Sequence, residues 1–181
     1  AFIVGYSGNL ASFHPIETFL ETAKRCKGTG IHFVFVGDGA KMQLAKDFSR
    51  DNQLTHCHFF NYVPREQLGN LLASFDCGLV GLNSENTGLS VPSKTLGLLS
   101  AGVPIVASCD KHSELSLILK DYNCGFVCDD FNPETLKSHI LTYKNNSSLL
   151  LEHKKNALRA IQDAYNLEHI SKQYFQLLFE S

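Results

Sequence analysis

Six short apolar segments alternate along the chain with segments whose apolar residues recur at helical spacing, and this alternation restricts the fold more than any other feature. The predicted strands are Phe2–Tyr6, Ile31–Val36, His56–Phe60, Asp76–Leu82, Pro104–Ala107 and Gly125–Cys128. Strands that alternate with helices form right-handed βαβ units, which give a parallel sheet covered by helices on both faces. We therefore predict a single doubly wound α/β domain over residues 1–181, with six parallel strands and extra C-terminal helices at about 147–179.

Composition narrows the classes of function. The chain has 16 Lys and Arg against 18 Asp and Glu, so its formal net charge is −2 and it has no general attraction for nucleic acid. Apolar residues make up 44% of the chain, which fits a globular domain, and no apolar run approaches the ~20 residues that cross a bilayer. The chain begins inside an apolar strand at Phe2 with no preceding turn, and we expect such a start in a segment of a longer protein.

Cysteine usage favours reduced, structural thiols. Most of the six cysteines lie in or beside apolar runs, and the pair Cys124 and Cys128 has no second pair at zinc-ligand spacing. In the run His56-Cys57-His58, neighbouring side chains of a strand point to opposite faces. The sequence predicts no metal site, and it favours a cytoplasmic location.

Ligands of an open parallel sheet bind beyond the carboxyl ends of its strands, so the loops there are the candidate site. Loop one, residues 7–14, places Gly8 and Asn9 at a strand-to-helix turn where backbone N–H groups can approach an anion. It contains neither the G-x-G-x-x-G pattern of a dinucleotide site nor the G-K-[ST] of a P-loop. Such a turn by itself is also compatible with a purely structural role.

The loop before the fourth predicted helix carries a stronger signal. Pro92 would fix the entry to that helix, Ser93 would cap it, and Lys94 would lie in its first turn. A cation there is unfavourable to the helix dipole, a cost that makes sense if an anion such as a diphosphate binds between Lys94 and the exposed N–H groups. A solvated lysine at a helix start is the equal alternative.

The acidic and basic residues of these loops do not form the pattern of a catalytic centre. Asp38 lies between two glycines and is better placed to order its turn, and Glu114 follows Ser113 as a first-turn helix residue. No pair has a spacing that specifies general acid–base work, and no Ser-His-Asp order is present. We predict no catalytic residue within this chain.

An ordered series of motifs nevertheless covers nearly the whole chain. Its members are Tyr6-Ser-Gly-Asn9, Phe35-Val-Gly-Asp-Gly39, Phe59-Phe-Asn-Tyr-Val-Pro64, Leu71-Leu-Ala-Ser-Phe-Asp76, Val91-Pro-Ser-Lys94, Ser100-Ala-Gly-Val-Pro-Ile-Val-Ala107, Gly125-Phe-Val127 and Asn132-Pro-Glu134. Each is weak alone, but the set resembles the C-terminal, donor-binding domain of GT-B glycosyltransferases of group 1, also called family 4. The pattern of Pro92, Ser93 and Lys94 with Gly97 is similar to a subgroup of bacterial surface-polysaccharide transferases.

The resemblance implies a Rossmann-like domain that binds a nucleotide-sugar donor, with a UDP-sugar favoured. The base would lie at Tyr62 and Val63, and the diphosphate at Gly8, Asn9, Ser93 and Lys94. The sugar would lie at His14 and at Glu85, Asn86, Thr87 and Gly88. The resemblance implies no cofactor and no required metal, since GT-B enzymes hold the diphosphate with helix termini and basic side chains.

The chain departs from the family pattern at two places. Many members carry an Arg and a Lys in loop one, where this chain has Asn9 and His14. Many also carry two glutamates around the loop-four helix, where this chain has Leu89 and Gly97, although Glu85 stands earlier in the same loop. In the similar subgroup, Lys94 takes over the phosphate contact, and ribose recognition stays unassigned.

The function implied is retaining transfer of a sugar from a UDP-sugar to a glycan or lipid-linked acceptor in cell-surface polysaccharide synthesis. The acceptor would bind an N-terminal domain absent from this chain, so the 181 residues alone are expected to be inactive. The full protein would have no transmembrane segment and could associate peripherally with the inner face of the membrane. Two alternatives stay open: a non-catalytic binding or assembly module, and a sugar-nucleotide epimerase-like enzyme.

Overall fold

The computed structural model describes residues 1–11, 14–83, 93–165 and 167–179, which form six strands and eight α-helices. The strands are β1 (Phe2–Ser7), β2 (Ile31–Val36), β3 (Cys57–Phe60), β4 (Cys77–Gly81), β5 (Ile105–Ser108) and β6 (Gly125–Cys128). The helices are α1 (Ile16–Arg25), α2 (Met42–Asp51), α3 (Arg65–Ala73), α4 (Ser93–Ser100), α5 (Glu114–Tyr122), α6 (Pro133–Asn145), α7 (Ser147–Ala160) and α8 (Leu167–Phe179). A π-helical turn, Ile161–Tyr165, follows α7 directly.

All six strands are parallel and lie in the order β3-β2-β1-β4-β5-β6, which confirms the predicted doubly wound α/β class. Strands β2 and β6 have the predicted bounds. Strand β5 begins at Ile105 rather than at Pro104, since proline has no N–H to donate to the ladder.

Helices cover both faces of the sheet, and each face has its own apolar core. Helices α1, α2 and α6 pack on one face, where the buried side chains include Phe19, Phe33 and Phe35. Helices α3, α4, α5 and α7 contribute to the core on the other face, around Leu98 and Ile105. Burying each large apolar side chain stabilises the fold by roughly 1.5–3 kcal/mol, so the sheet and its helices form one cooperative unit.

The helix ends follow local chemistry that is visible in the sequence. The Asn132 side chain accepts a hydrogen bond from the Glu134 amide and Pro133 occupies the first turn of α6. Ser113 caps α5 in the same way, through the Ser116 amide. After α4 the backbone turns through Gly102 at a φ of 69°, a conformation that glycine adopts without strain.

The cysteines, together with His32, His56 and His58, make structural contacts. All six cysteines are free thiols, and burial raises the pKa of Cys26 to about 11. His58 and His56 have separate partners: His58 Nε2 lies 3.1 Å from His32 Nδ1, while His56, which precedes β3, has its Nε2 2.8 Å from the Ala23 carbonyl oxygen. Within the described ranges, no group of three or more histidine, cysteine or carboxylate side chains is placed to hold a metal ion. Of the helices described, none is long and apolar enough to cross a membrane.

Candidate functional site

The strand order creates a crevice between β1 and β4. From β1 the chain winds outward to β3, and from β4 it winds outward in the opposite direction to β6. The loops that leave β1 and β4 therefore diverge, and ligands of such sheets bind in the resulting opening. A cleft of about 840 Å³ lies there, lined by residues at or after the carboxyl ends of β1, β2, β3 and β4 and by residues of α3 and α4.

Tertiary structure brings the residues predicted from separate loops together at this cleft. The seven that line it are Gly8, Asn9, His14, Tyr62, Val63, Ser93 and Lys94. The four predicted sugar contacts, Glu85, Asn86, Thr87 and Gly88, fall outside the described residues, and their roles stay predictions. Residues that the sequence did not single out also line the cleft, among them Arg65 and Leu68.

Loop one is held closely against the loop after β2. The Gly8 amide donates to the Val36 carbonyl at 2.9 Å, and the Leu10 amide donates to the Asp38 carbonyl at 2.8 Å. A Cβ at Gly37, whose φ is 143°, would overlap the Gly8 carbonyl oxygen, so only glycine allows this approach. As predicted, the Asp38 side chain orders its own turn by accepting from the Gly39 amide at 2.7 Å.

This packing corrects one detail of the predicted anion site. The Gly8 N–H is already engaged with Val36 and is not a donor for a ligand. The Asn9 amide has no hydrogen-bond partner among the described residues, so it is a backbone donor that loop one can present. Ser93 differs by one position from its predicted place, because it begins α4 instead of preceding it.

Lys94 reaches from the first turn of α4 across the crevice to β1. Its Nζ donates to the Tyr6 hydroxyl at 2.6 Å and lies 4.1 Å from the centre of the Tyr6 ring. A Cβ added at Gly8 would be 3.5 Å from Nζ, so the ammonium lies directly over loop one. Burial lowers the pKa of Lys94 to about 8. Lys94 is therefore not the solvated lysine of the alternative, and its contact with a diphosphate stays a prediction.

His14 stands on the other side of the ammonium. Its Nδ1 lies 2.9 Å from the Gly81 carbonyl, which can only accept, so Nδ1 carries the hydrogen and Nε2 has the lone pair. Nε2 faces Lys94 Nζ at 3.4 Å. Burial first, and then the charge of Lys94, lowers the pKa of His14, so the imidazole is neutral at pH 7.

Tyr6 is the residue of this group that sequence reasoning missed. Its side chain is fully buried, and its hydroxyl donates to the Asn9 carbonyl at 2.8 Å while accepting from Lys94. Burial, followed by the influence of Tyr62, raises the pKa of Tyr6, which keeps the phenol protonated. The only signal in the sequence was a hydroxyl-bearing aromatic at the end of an otherwise apolar strand.

The electrostatic character of the cleft is positive. Lys94 and Arg65 line it, and Lys41 lies behind loop one, where its Nζ donates to the His14 carbonyl at 3.0 Å and to Glu17 at 2.7 Å. No carboxylate is among the described residues that line the cleft. An anionic ligand is therefore favoured by charge as well as by donors.

The other end of the cleft is apolar and open enough for a planar group. Tyr62, which is 58% exposed, and Val63 lie beside Leu68 and Leu72. At Gly97 an added Cβ would meet only the tip of Leu72, at 3.5 Å, so this wall leaves space above α4. Such a surface suits an aromatic ring at one end of a ligand whose anionic part lies over loop one.

The chain is also similar in sequence to a known protein family. The sequence profile of the family described as "Glycosyl transferases group 1" matches residues 1–160. The chain is 30% identical over 131 residues to a protein of Pseudomonas aeruginosa named "Probable glycosyltransferase WbjE", and this match covers 72% of the chain but 33% of WbjE. The chain thus spans about a third of the length of this curated relative.

Solved structures share the fold. A structure of HepE from Anabaena in complex with UDP-glucose superposes with a TM-score of 0.82 at 18% identity, over 99% of this chain and 49% of HepE. The C-terminal domain of a group 1 glycosyl transferase, LpcC from Francisella tularensis, superposes with a TM-score of 0.76 at 14% identity, over 92% of this chain and 87% of that domain. At these identities the likeness concerns the fold alone.

Proposed function

We propose, from the premise that the chain belongs to the group 1 family of glycosyl transferases, that it binds the nucleoside diphosphate part of a sugar donor in the cleft between β1 and β4. The donor is a UDP-sugar. The observation that carries the proposal is the Lys94 ammonium, which is held over loop one, next to the amide that Asn9 presents. The UDP-glucose bound by HepE, which has the same fold, supports this class of donor.

The cleft fits such a donor in one orientation. The base lies at the apolar end against Tyr62 and Val63, where main-chain groups of an exposed loop can read its edge. The diphosphate lies over loop one, where Lys94 donates to it and Ser93 and Asn9 add neutral donors. The sugar then projects toward His14 and residues 85–88, and no Asp or Glu among the described lining residues repels the phosphates.

The donor-binding domain contributes to catalysis by placing the donor and by stabilising the departing diphosphate. As the glycosidic bond breaks, negative charge grows on the terminal phosphate oxygens of UDP. A fixed ammonium in a part-buried site stabilises that charge more than water does, and it needs no reorganisation at the moment of reaction. We expect these residues to bind the diphosphate without a metal ion.

The remainder of the reaction is proposed for the whole protein. The chain spans 33% of WbjE and 49% of HepE, so we expect a further domain to supply the acceptor site. The acceptor is a glycan or a lipid-linked sugar of a cell-surface polysaccharide, the transfer retains the anomeric configuration, and the enzyme acts in the cytoplasm or at the inner face of the membrane. Turnover by these 181 residues alone would contradict this division of labour.

Calorimetric titration of the chain with UDP tests the proposal. We expect saturable 1:1 binding, and a Lys94→Met variant should bind roughly 10- to 100-fold more weakly, because a charged hydrogen bond contributes about 1.5–3 kcal/mol. Lys155→Met is the matched control, because Lys155 is an exposed residue of α7 that does not line the cleft. This variant should leave the affinity for UDP unchanged. Equal affinity of the Lys94→Met variant and wild type would remove the assignment.

The same titration separates the two alternatives. A non-catalytic module that has lost its donor would show no saturable binding of UDP or of UDP-sugars. An epimerase would convert a UDP-sugar to its isomer without any acceptor, which product analysis by NMR detects. Binding of a UDP-sugar without isomerised product supports the transferase.

A further inference from the structure

We infer that Tyr6 is a positioning residue of the donor site: its buried hydroxyl holds the Lys94 ammonium over loop one and so places the charge that the diphosphate meets. This inference rests on the proposed function and names a residue of the same site that does not itself touch the donor. Tyr6 lies at the end of β1 beneath loop one, and its ring is packed against Phe19 and Phe35, with centroids 5.9 Å and 6.2 Å away.

The direction of each hydrogen bond around Lys94 is fixed by its partners. The Asn9 carbonyl can only accept, so the Tyr6 hydroxyl donates to it and offers its lone pair to Lys94. The Gly81 carbonyl fixes the His14 tautomer in the same manner, so that Nε2 also offers a lone pair. Two of the three donors of the ammonium are thus directed to Tyr6 and His14, and among the described residues none takes the third.

A lysine side chain has four rotatable bonds, and ordering it at the moment of binding would cost rotamer entropy. Tyr6 reduces that cost because the aromatic ring and its hydroxyl both attract the ammonium before the donor arrives. The phenol also links Lys94 to the Asn9 carbonyl, so the cation and the backbone donor of loop one are set relative to one another. The site is organised in advance for a diphosphate.

Among the described residues, the charged and titratable groups around the cleft of Lys94 come from several other parts of the fold. They are Tyr6 on β1, His14 before α1 with Lys41 of the α2 start behind it, Tyr62 after β3, and Arg65 on α3. The described lining of the cleft contains no carboxylate that would hold the ammonium in place of Tyr6. Removing the phenol oxygen therefore takes away the closest stabilising contact of the charged form.

The test uses Tyr6→Phe, which keeps the buried ring and removes only the hydroxyl. We expect UDP affinity to fall roughly tenfold, the order of one hydrogen bond to a charged group. In a Lys94→Met background, the same Tyr6→Phe change should have no further effect, because the group through which Tyr6 acts is gone. Tyr174→Phe, at a residue 65% exposed on α8, is the control and should match wild type.

A second readout needs no UDP. In the ligand-free chain, NMR of ¹³C-labelled lysine side chains follows the titration of Lys94, whose signal is identified by its loss in Lys94→Met. Tyr6→Phe should move the Lys94 midpoint to lower pH by roughly half a pH unit, since an acceptor of the charged form is lost. A residue with only a packing role would leave that midpoint where it is.

The outcomes divide clearly. An unchanged Lys94 midpoint, or a loss of UDP affinity that is equal in the wild-type and Lys94→Met backgrounds, overturns the inference and leaves Tyr6 a structural residue. A wild-type chain that binds no UDP overturns the proposed function, and with it the diphosphate as the group for which Lys94 is held. The titration in the ligand-free chain still decides the coupling of Tyr6 to Lys94 by itself.

Discussion

Replacing Lys94 by methionine should make the fold more stable at pH 7 while it weakens donor binding. The ammonium is charged at neutral pH although burial disfavours that form, so the folded state carries a cost that the unfolded chain does not. Methionine has a similar length and an apolar end, and it removes this cost. A site that is kept charged for a ligand should show this conflict between stability and function.

The size of the effect follows from the two pKa values. Folding lowers the pKa of Lys94 from its ordinary value of 10.5 to about 8. At 1.36 kcal/mol per pH unit, keeping the proton on at pH 7 costs the folded state ~3 kcal/mol. The variant also loses the contact between Lys94 and His14 Nε2, and this loss reduces the gain in stability by about 1 kcal/mol. We therefore expect a net stabilisation of ~2 kcal/mol.

The pH dependence of stability is an independent test of the sign of this change in free energy. Between the folded pKa of about 8 and the unfolded value of 10.5, the unfolded chain binds more protons at Lys94 than the folded chain. Wild-type stability therefore gains from this group as the pH rises through that window. The advantage of Lys94→Met should be largest at pH 7 and should have fallen by more than half at pH 9.5.

Urea unfolding followed by circular dichroism, at pH 7.0 and pH 9.5, measures these free energies. Lys155→Met, at an exposed position on α7, is the control and should lie within about 0.5 kcal/mol of wild type at both values. A Lys94→Met variant that is less stable than wild type at pH 7, or whose advantage does not change with pH, would refute the reasoning. UDP titration of the same samples completes the comparison.

Three further predictions concern the scaffold of the site. Gly37→Ala should destabilise the fold by more than ~2 kcal/mol in urea unfolding, because its Cβ would overlap the Gly8 carbonyl at a φ of 143°, and an unchanged midpoint would contradict the packing of loops one and two. Burial lowers the pKa of His153, whose Nδ1 lies 2.7 Å from the Tyr143 hydroxyl. Stability that is present near pH 7 should therefore fall as the pH drops below 6.5, by up to ~1.4 kcal/mol per pH unit. A His153→Gln variant should show a shallower dependence of the free energy of unfolding on pH. Asn132→Ala should cost about 1 kcal/mol through loss of the α6 cap, a change that thermal unfolding detects as a lower Tm.

The strands and helices were predictable because their signals are local. The apolar run Ile31–Val36 contains the chemistry that defines a strand, and the structure places it as predicted. The cap at Asn132 likewise depends only on its neighbours in the chain. The parallel sheet followed from alternation, since consecutive parallel strands need a crossover. Loop one could be named as a candidate anion site for the same reason, because small residues at a strand-to-helix turn expose backbone donors.

Local signals could not show how the loops meet. Tyr6 and Lys94 are 88 residues apart, and their hydrogen bond depends on β1 lying beside β4 in the sheet. The sequence left Lys94 undecided between a solvated helix start and an anion contact, because the choice depends on what the side chain can reach. The engagement of the Gly8 amide by Val36 is likewise a contact between loop one and the end of β2, which the pattern of either segment does not reveal.

The sequence by itself determined the class of fold, the places where strands end and small polar loops begin, and the family to which the ordered motifs belong. These properties depend on neighbours within a few residues or on the order of elements, which the chain carries directly. The tertiary structure alone decided the strand order, the crevice between β1 and β4, and the placing of Lys94 between Tyr6 and His14. Hydrogen-bond polarity and burial act over a few ångströms in space, so only the fold could decide which of the chain's charged side chains lies in the crevice.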